Sequence, residues 1–288
     1  MPQPWETDRP LDIPGTARRI AERFPELAGA RVEYLGEGWD SRAFLVEGKW
    51  VFRLSKHADG DEDARVEIPL LKAIAGKLPV PIPEVAFDAG TWFGYGFLRG
   101  EPLAGRDWDP ALARTLAPQL GQFFSALHAI PTSSLTVPSG PRNLLNMQAR
   151  ANGWIAALDS FGEPGAAARE RLKTAPAPYE GPALLVHNDF GPEHALLDGD
   201  RLSGVIDWSD ARIGDPATDF AGVANWGGGA FLREVLAHYD GPVDAGLAGR
   251  ALFQALCVAV YDAHYGIAAA KPRCLRSAEQ AVRLLLND

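Results

Sequence analysis

Apolar residues recur along the chain with two periods. Residues 14–27, "PGTARRIAERFPEL", carry the spacing of a short amphipathic helix. "RVEYLGEGWDSRAFLVEGKWVFRLSK" then reads as three β-rich runs, with a glycine-rich turn at Gly36 to Ser41 and a tight turn at Glu47-Gly48. "EDARVEIPLLKAIAGKL" returns to helical spacing, with Val66, Leu70, Leu71 and Ile74 on one face. "EVAFDAGTWFGYGFLRG" predicts a further hairpin after the proline-rich break "PVPIPEV". The first hundred residues are thus expected to form a mostly antiparallel sheet with one inserted helix.

Beyond Gly100 the helical period dominates. "DPALARTLAPQLGQFFSALHAI" has Asp109 as cap, Pro110 at the first helical position and a long apolar stripe. "PRNLLNMQARANGWIAALDSF", "GEPGAAARERLKTA", "GAFLREVLAHY", "GLAGRALFQALCVAVYDAHYGIAAA" and "SAEQAVRLLL" also read as helices. Between them, residues 185–216, "LVHNDFGPEHALLDGDRLSGVIDWSDARIGDP", hold two or three short strands. The expected fold class is α+β and bilobal: an antiparallel β-rich lobe over residues 1–98, a link near 97–103, and a larger, mostly helical lobe over 99–288. Ligands favour the cleft between two such lobes.

A chain of 288 residues has room for a substantial core, and 47% hydrophobic with 23% charged residues is ordinary for a globular protein. The net charge of −9 argues against a nucleic-acid partner, which would want a basic face. Residues 181–270 contain twelve Asp or Glu against four Lys or Arg, a difference of eight that nearly equals the charge of the whole chain. An acidic surface of this kind suits a cationic small molecule, or is simply solvated. Cys257 and Cys274 are too few for a disulfide scaffold and are expected as reduced thiols. The start "MPQPWETDRP" has no basic, apolar leader pattern, and no run approaching ~20 apolar residues stands out as a membrane span. A cytoplasmic protein, monomeric or weakly dimeric, is the expectation.

Candidate chemistry concentrates at the lobe boundary. Gly36, Gly38 and Ser41 sit in a turn between two strands, where glycine lets the backbone approach a phosphate and the hydroxyl adds a donor. Arg53 lies on the third strand and Glu67 in the helix after it, a cation for phosphate oxygens with a carboxylate to orient it. Asp189 opens a loop after "ALLVH" and can orient a hydroxyl or take its proton. Asp207 ends the run "LSGVI", where it can bind a divalent cation, and His194 lies between the two. Such a set suits phosphoryl transfer, in which positioning and charge neutralisation dominate. The rival reading takes His187, Asp189 and His194 as a metallohydrolase centre. It needs further ligands on other strand ends, and the six histidines, at 57, 128, 187, 194, 238 and 264, form no second motif.

Taken in order, the glycine turn, strand cation, helix glutamate, link, "HNDFGPEH" and "IDWSDARIGDPATDF" resemble the aminoglycoside phosphotransferase family, within the protein-kinase-like fold. The likeness runs from about residue 31 to the C-terminus. "GEGWDS" and "HNDF…H" are most similar to the aminoglycoside 2″-phosphotransferases, with the macrolide phosphotransferases next. The resemblance implies that Asp189 is the catalytic base or nucleophile-orienting residue and that His187 braces its loop. It implies ATP or GTP as donor, held by Gly36, Gly38, Ser41, Arg53 and Glu67, with the purine edge against the backbone of Tyr95, Phe97 and Leu98. It implies Mg2+ at Asp207 with His194 as second contact, and Asp215 as support for the catalytic loop. Two positions depart from the pattern: His194 stands where asparagine is usual, which brings tolerance of Mn2+, and Arg53 replaces the usual lysine.

For the acceptor, Glu193, Asp210, Asp240 and Asp262 could line an acidic basin, while Trp226 and Tyr265 could stack on a sugar face or pack in the core. An aminoglycoside-like amino sugar is the expected acceptor. A macrolide or an endogenous small alcohol is the alternative, and a nucleotide-binding pseudokinase that regulates a partner is the alternative of another class.

Overall fold

The alternating segments of the first hundred residues form a single antiparallel sheet. Its strands are β1 (Val32–Glu37), β2 (Ser41–Val46), β3 (Trp50–Ser55), β4 (Val85–Asp88) and β5 (Phe93–Gly96), in the order β1-β2-β3-β5-β4. The computed structural model describes Thr7, Arg9 and residues 11–38, 41–57, 61–140 and 143–287; Trp39 and Asp40 of the glycine-rich turn lie outside the described residues. Glu47 and Gly48 both have positive φ, 53° and 63°, which matches the twist of the β2–β3 hairpin.

Period-two alternation gives the sheet two different faces. Phe44, Val46, Phe52 and Leu54 pack with Trp92 against Ile20 and Phe24 from the α1 region, where α1 spans Ile13–Arg23. Val51, Phe93 and Tyr95 turn to the other side and join the core of the helical lobe. Arg53 shares that side, at the cleft. Helix α2 (Asp61–Ile74) buries Ile68, Leu71 and Ile74, and Glu67 is buried with them.

The second lobe opens with β6 (Glu101–Pro102) and α3 (Pro110–His128), whose first turn is capped by Asp109 onto the Ala111 amide at 2.8 Å. Phe123, Phe124 and Leu127 on α3 are fully buried, each contributing about 1.5–3 kcal/mol on removal from water. Then come α4 (Leu144–Gly153), α5 (Glu163–Arg171), β7 (Leu184–Val186), β8 (Ala195–Asp198), β9 (Arg201–Val205) and β10 (Arg212–Gly214). Strand β10 pairs with β7, β6 pairs with β8, and β8 with β9. These short ladders carry the loops of the site.

The chain ends in α6 (Ala217–Leu236), α7 (Leu247–Ala268) and α8 (Pro272–Leu286), packed on one another. Helix α6 starts twelve residues earlier than the apolar period suggested. Asp215 caps it onto the Ala217 amide at 3.0 Å, and the glycines that hid it in the sequence do two jobs. Gly222 lets the helix touch the loop after β7, since a Cβ there would overlap the Phe190 carbonyl oxygen. Gly228 has φ 72° and kinks the helix. Helix α7 is, by length and composition, apolar enough to cross a membrane, a correction to the expectation that no such run stands out. It is a core helix, with Arg250 and Gln254 buried and α6 and α8 packed against it.

Candidate active site

Residues 187–194 connect β7 to β8 and hold the central candidates. Asn188 has φ 68°, a left-handed turn that swings the chain out of the strand and leaves the Asp189 side chain 48% exposed at the cleft. Two backbone amides at this turn, of His187 and Asn188, donate to the Asp219 carboxylate at 3.0 and 2.8 Å. His128 Nε2 donates to the same group at 3.1 Å, and His128 Nδ1 lies 2.7 Å from the Tyr239 hydroxyl. All three side chains are buried. The loop is therefore held by α3 and α6 together.

This corrects the expectation for Asp215. That carboxylate caps α6 and binds Arg250 at 2.7 and 3.1 Å, far from the loop amides in its bonding. Asp219, four residues on in "GDPATDF", supports the loop. Asp219 lies in "GDPATDF", before the apolar period sets in at Gly229, and His128 and Tyr239 sit in apolar helical stripes, so none of the three stands out as functional in the sequence.

His187 is fully buried, and burial together with nearby His194 pushes its pKa down to about 4. It is a neutral ring that donates Nε2–H to the Ile206 carbonyl at 3.0 Å and packs 4.7 Å from Trp208. In this way it braces the loop against the segment that bears Asp207.

Asp207 has φ 65° and accepts from Ser209 Oγ at 2.9 Å and Arg53 Nη2 at 2.5 Å. Burial alone would raise this carboxyl, but Arg53 and His194 beside it hold it well below the usual carboxylate range. Arg53 also donates Nε–H to Ser41 Oγ at 2.9 Å and Nη1 to both Glu67 oxygens at 2.9 Å. Glu67 takes a further bond from the Trp208 amide at 3.0 Å. Burial pushes the Glu67 carboxyl up and the guanidinium opposes it. The expected Arg53–Glu67 pair thus gains Ser41 and Asp207 as third and fourth members.

His194 lies between the two candidate aspartates. Its Nδ1 donates to the Asp189 carbonyl at 2.7 Å, and its Nε2 is 3.6 Å from Asp207 Oδ2. Burial lowers its pKa, but Asp207, Glu193 and Asp189 outweigh that and raise it to about 9. Its ring lies between the two carboxylates, 3.7 Å from Asp189 and 3.6 Å from Asp207, and both favour its imidazolium form.

The remaining candidates divide. Asp262 on α7 is half-buried, and burial with Glu193 and Asp189 nearby pushes its carboxyl up to about 8. Glu193 is exposed, as is Asp210 in the turn before β10. Tyr265 lines a cavity of about 200 Å3 with Glu37, Gly38, Lys56, Ala269 and Lys271. Trp226 is a correction: it is 6% exposed, edge-on to Trp108 and Phe231 at 4.8 and 5.2 Å, and its ring faces are core. Near the link, Tyr95 is buried, Phe97 is exposed, and the Phe97 amide donates to the Lys49 carbonyl at 2.8 Å.

An antiparallel sheet lobe and a helical lobe, with carboxylates on the loops between them, define a bilobal kinase-like protein. Comparison with known proteins makes this specific: the chain belongs to the phosphotransferase enzyme family (APH), which matches residues 31–253. It is 32% identical over 201 residues to viomycin phosphotransferase of Streptomyces vinaceus, covering 63% of this chain and 68% of that protein. Among solved structures it is similar to the GDP and kanamycin complex of APH(2")-IIIa, with 27% identity, a TM-score of 0.66, and coverage of 93% of this chain and 97% of that one. It is also similar to the macrolide 2'-phosphotransferase MphH from Brachybacterium faecium, with 25% identity, a TM-score of 0.64 and the same coverages. The protein is a phosphotransferase enzyme that acts on hydroxyl groups.

Proposed function

We propose that the enzyme transfers the terminal phosphate of ATP or GTP to a hydroxyl of a cationic, aminoglycoside-like amino sugar. The observation that carries the acceptor class is the Asp189–Glu193–Asp262 group. Asp262 holds a proton at neutral pH because burial first, and then the nearby Glu193 and Asp189 carboxylates, push it up to about 8. An ammonium on the acceptor replaces that proton and lets the carboxyl ionise. The adjacent hydroxyl is then at Asp189, an exposed carboxylate of the loop. Relatives in complex with kanamycin or named for viomycin and macrolides support an antibiotic-type acceptor.

On the donor side, Gly36, Gly38 and Ser41 face the phosphates. Tyr95, the Phe97 carbonyl and Leu98 face the purine edge. A relative bound to GDP supports a purine nucleotide. Asp207, with His194 beside it, fits Mg2+, because one carboxylate together with phosphate oxygens and waters satisfies that ion. The metal, when bound, neutralises charge on the phosphates. This chain's residues do the rest: Asp189 orients the acceptor hydroxyl and takes its proton at an Oδ atom, neutral His187 keeps the loop in place, and Asp219 fixes the backbone on which both stand.

A nucleotide-consumption screen over aminoglycosides, macrolides and cellular alcohols, with ATP and GTP and product mass spectrometry, tests the proposal. Turnover is expected with an amino sugar, with a KM that rises with salt because exposed charges are screened over about 8–10 Å. Nucleotide binding without turnover on any acceptor would favour the pseudokinase.

A further inference from the structure

Arg53 does more than pair with the helix glutamate. All three guanidinium nitrogens are committed: Nε to Ser41, Nη1 to Glu67, and Nη2 to Asp207 at 2.5 Å and Ser209 Oγ at 3.3 Å. The side chain is only 15% exposed. The sheet makes room for it, because Ala43 is its small neighbour on β2, opposite Phe93 on β5. A planar fork spans two carboxylates in this way; a lysine ammonium is a point charge on a flexible stem and spans them less well.

We propose that Arg53 is a resident counter-cation that closes the Asp207 metal position until nucleotide phosphates draw its fork away. The inference rests on the reading of Asp207 as the metal-binding carboxylate. Its physical basis is the geometry of the fork: Arg53 Nη1 holds Glu67 at 2.9 Å while Nη2 holds Asp207 at 2.5 Å. A bare divalent cation therefore meets a carboxylate already paired with Arg53, and must break a short ion pair to reach it. The cost of leaving Glu67 and Asp207 sharing one displaced guanidinium falls on the metal alone. A nucleotide changes the balance. Its phosphate oxygens are bidentate partners for the fork, and they bring the remaining ligands that Mg2+ requires. Metal and nucleotide then enter as a unit, and the empty enzyme does not collect free divalent ions.

Metal binding without turnover tests this, with Mn2+ as probe and the free ion followed by electron paramagnetic resonance. Wild type without nucleotide is expected to bind Mn2+ at least about 10-fold more weakly than R53K or R53A, whose Asp207 is released. Wild type with a non-hydrolysable ATP analogue is expected to bind tightly. Asp207→Asn in the R53K background should abolish the gain, which assigns it to this position. R53K guards against a folding failure of R53A, and circular dichroism checks both. Equal Mn2+ affinity in nucleotide-free wild type and R53K overturns the proposal, as does a gain that survives Asp207→Asn. Wild type that fails to bind Mn2+ even with nucleotide refutes the underlying assignment of Asp207 instead.

Discussion

Asp219 offers the sharpest test of how the catalytic loop is held. Its carboxylate is fully buried and accepts three bonds, from the amides of His187 and Asn188 and from His128 Nε2. Asp219→Ala removes every acceptor and strands three buried donors. At about 1–3 kcal/mol for each unsatisfied buried group, the expected loss is about 3–9 kcal/mol, a large part of a typical domain's stability. Asp219→Asn behaves differently. Its oxygen keeps the bond from the Asn188 amide. Its NH2 then meets the ring of His128, which can change tautomer, accept at Nε2 and donate from Nδ1 to the Tyr239 oxygen. Only the His187 amide loses its partner, so the loss is about 1–3 kcal/mol. Urea unfolding of the two variants gives the energies, and hydrogen exchange at the His187 and Asn188 amides gives the location. A loss in Asp219→Asn as large as in Asp219→Ala would refute the tautomer argument. A loss under about 1 kcal/mol in Asp219→Ala would refute the count of buried donors.

Three further outcomes follow from the same geometry. Asp189→Asn should lower kcat by about 10²-fold or more while nucleotide affinity stays nearly constant, and full turnover in the acceptor assay removes Asp189 from its role. Asp262→Asn should stabilise the protein near pH 8. A carboxyl raised from 3.8 to about 8 by burial, Glu193 and Asp189 costs stability as pH rises through that window, because the unfolded chain has already lost the proton. Full expression is worth about 5–6 kcal/mol, half-burial reduces this to roughly 1–2 kcal/mol, and the gain should vanish below about pH 4. Thermal unfolding at pH 4 and 8 shows whether it does, and an equal gain at both rules out the assignment; burial pushes the nearby Cys274 thiol up, away from this range. Gly222→Ala should push the loop at Phe190 off α6 and cut kcat by about 10-fold or more, whereas unchanged kcat with unchanged stability means the contact is dispensable.

The sheet lobe was legible because alternation over six-residue strands and a Glu47-Gly48 turn are local signals. The capped start of α3 was legible for the same reason, through Asp109 and Pro110. Pairings among β6 to β10 were not, since ladders of two to five residues are set by tertiary packing. The same distinction runs through the site. Asp189, Asp207, Arg53 and Glu67 stood out as polar residues against apolar runs. The supports, Asp219 and His128, lie 31 and about 60 positions from the amides and loop they hold, Asp219 ahead of the apolar period and His128 inside a helical stripe where a polar residue reads as a defect. Trp226 was ambiguous in principle, because nothing local separates a stacking face from a core ring.

The acid-rich stretch 181–270 gains a different meaning once its members are placed. Asp215 and Asp244 are bound to Arg250, Asp219 is buried under the catalytic loop, Asp200 meets Arg106 at 2.9 Å, and Asp207 is bound by Arg53. A count of charges had suggested a broad anionic basin suited to a polyamine. Five of the twelve are instead neutralised or structural, and they contribute little to attracting a cation. What remains concentrated is the Asp189–Glu193–Asp262 group, where burial first and the two neighbouring carboxylates after it hold the Asp262 carboxyl raised. A site built this way rewards one well-placed ammonium beside the reacting hydroxyl more than a high total charge. Among amino-sugar acceptors, the position of a single amine should therefore govern kcat/KM, and compounds of equal net charge with that amine removed should be poor substrates.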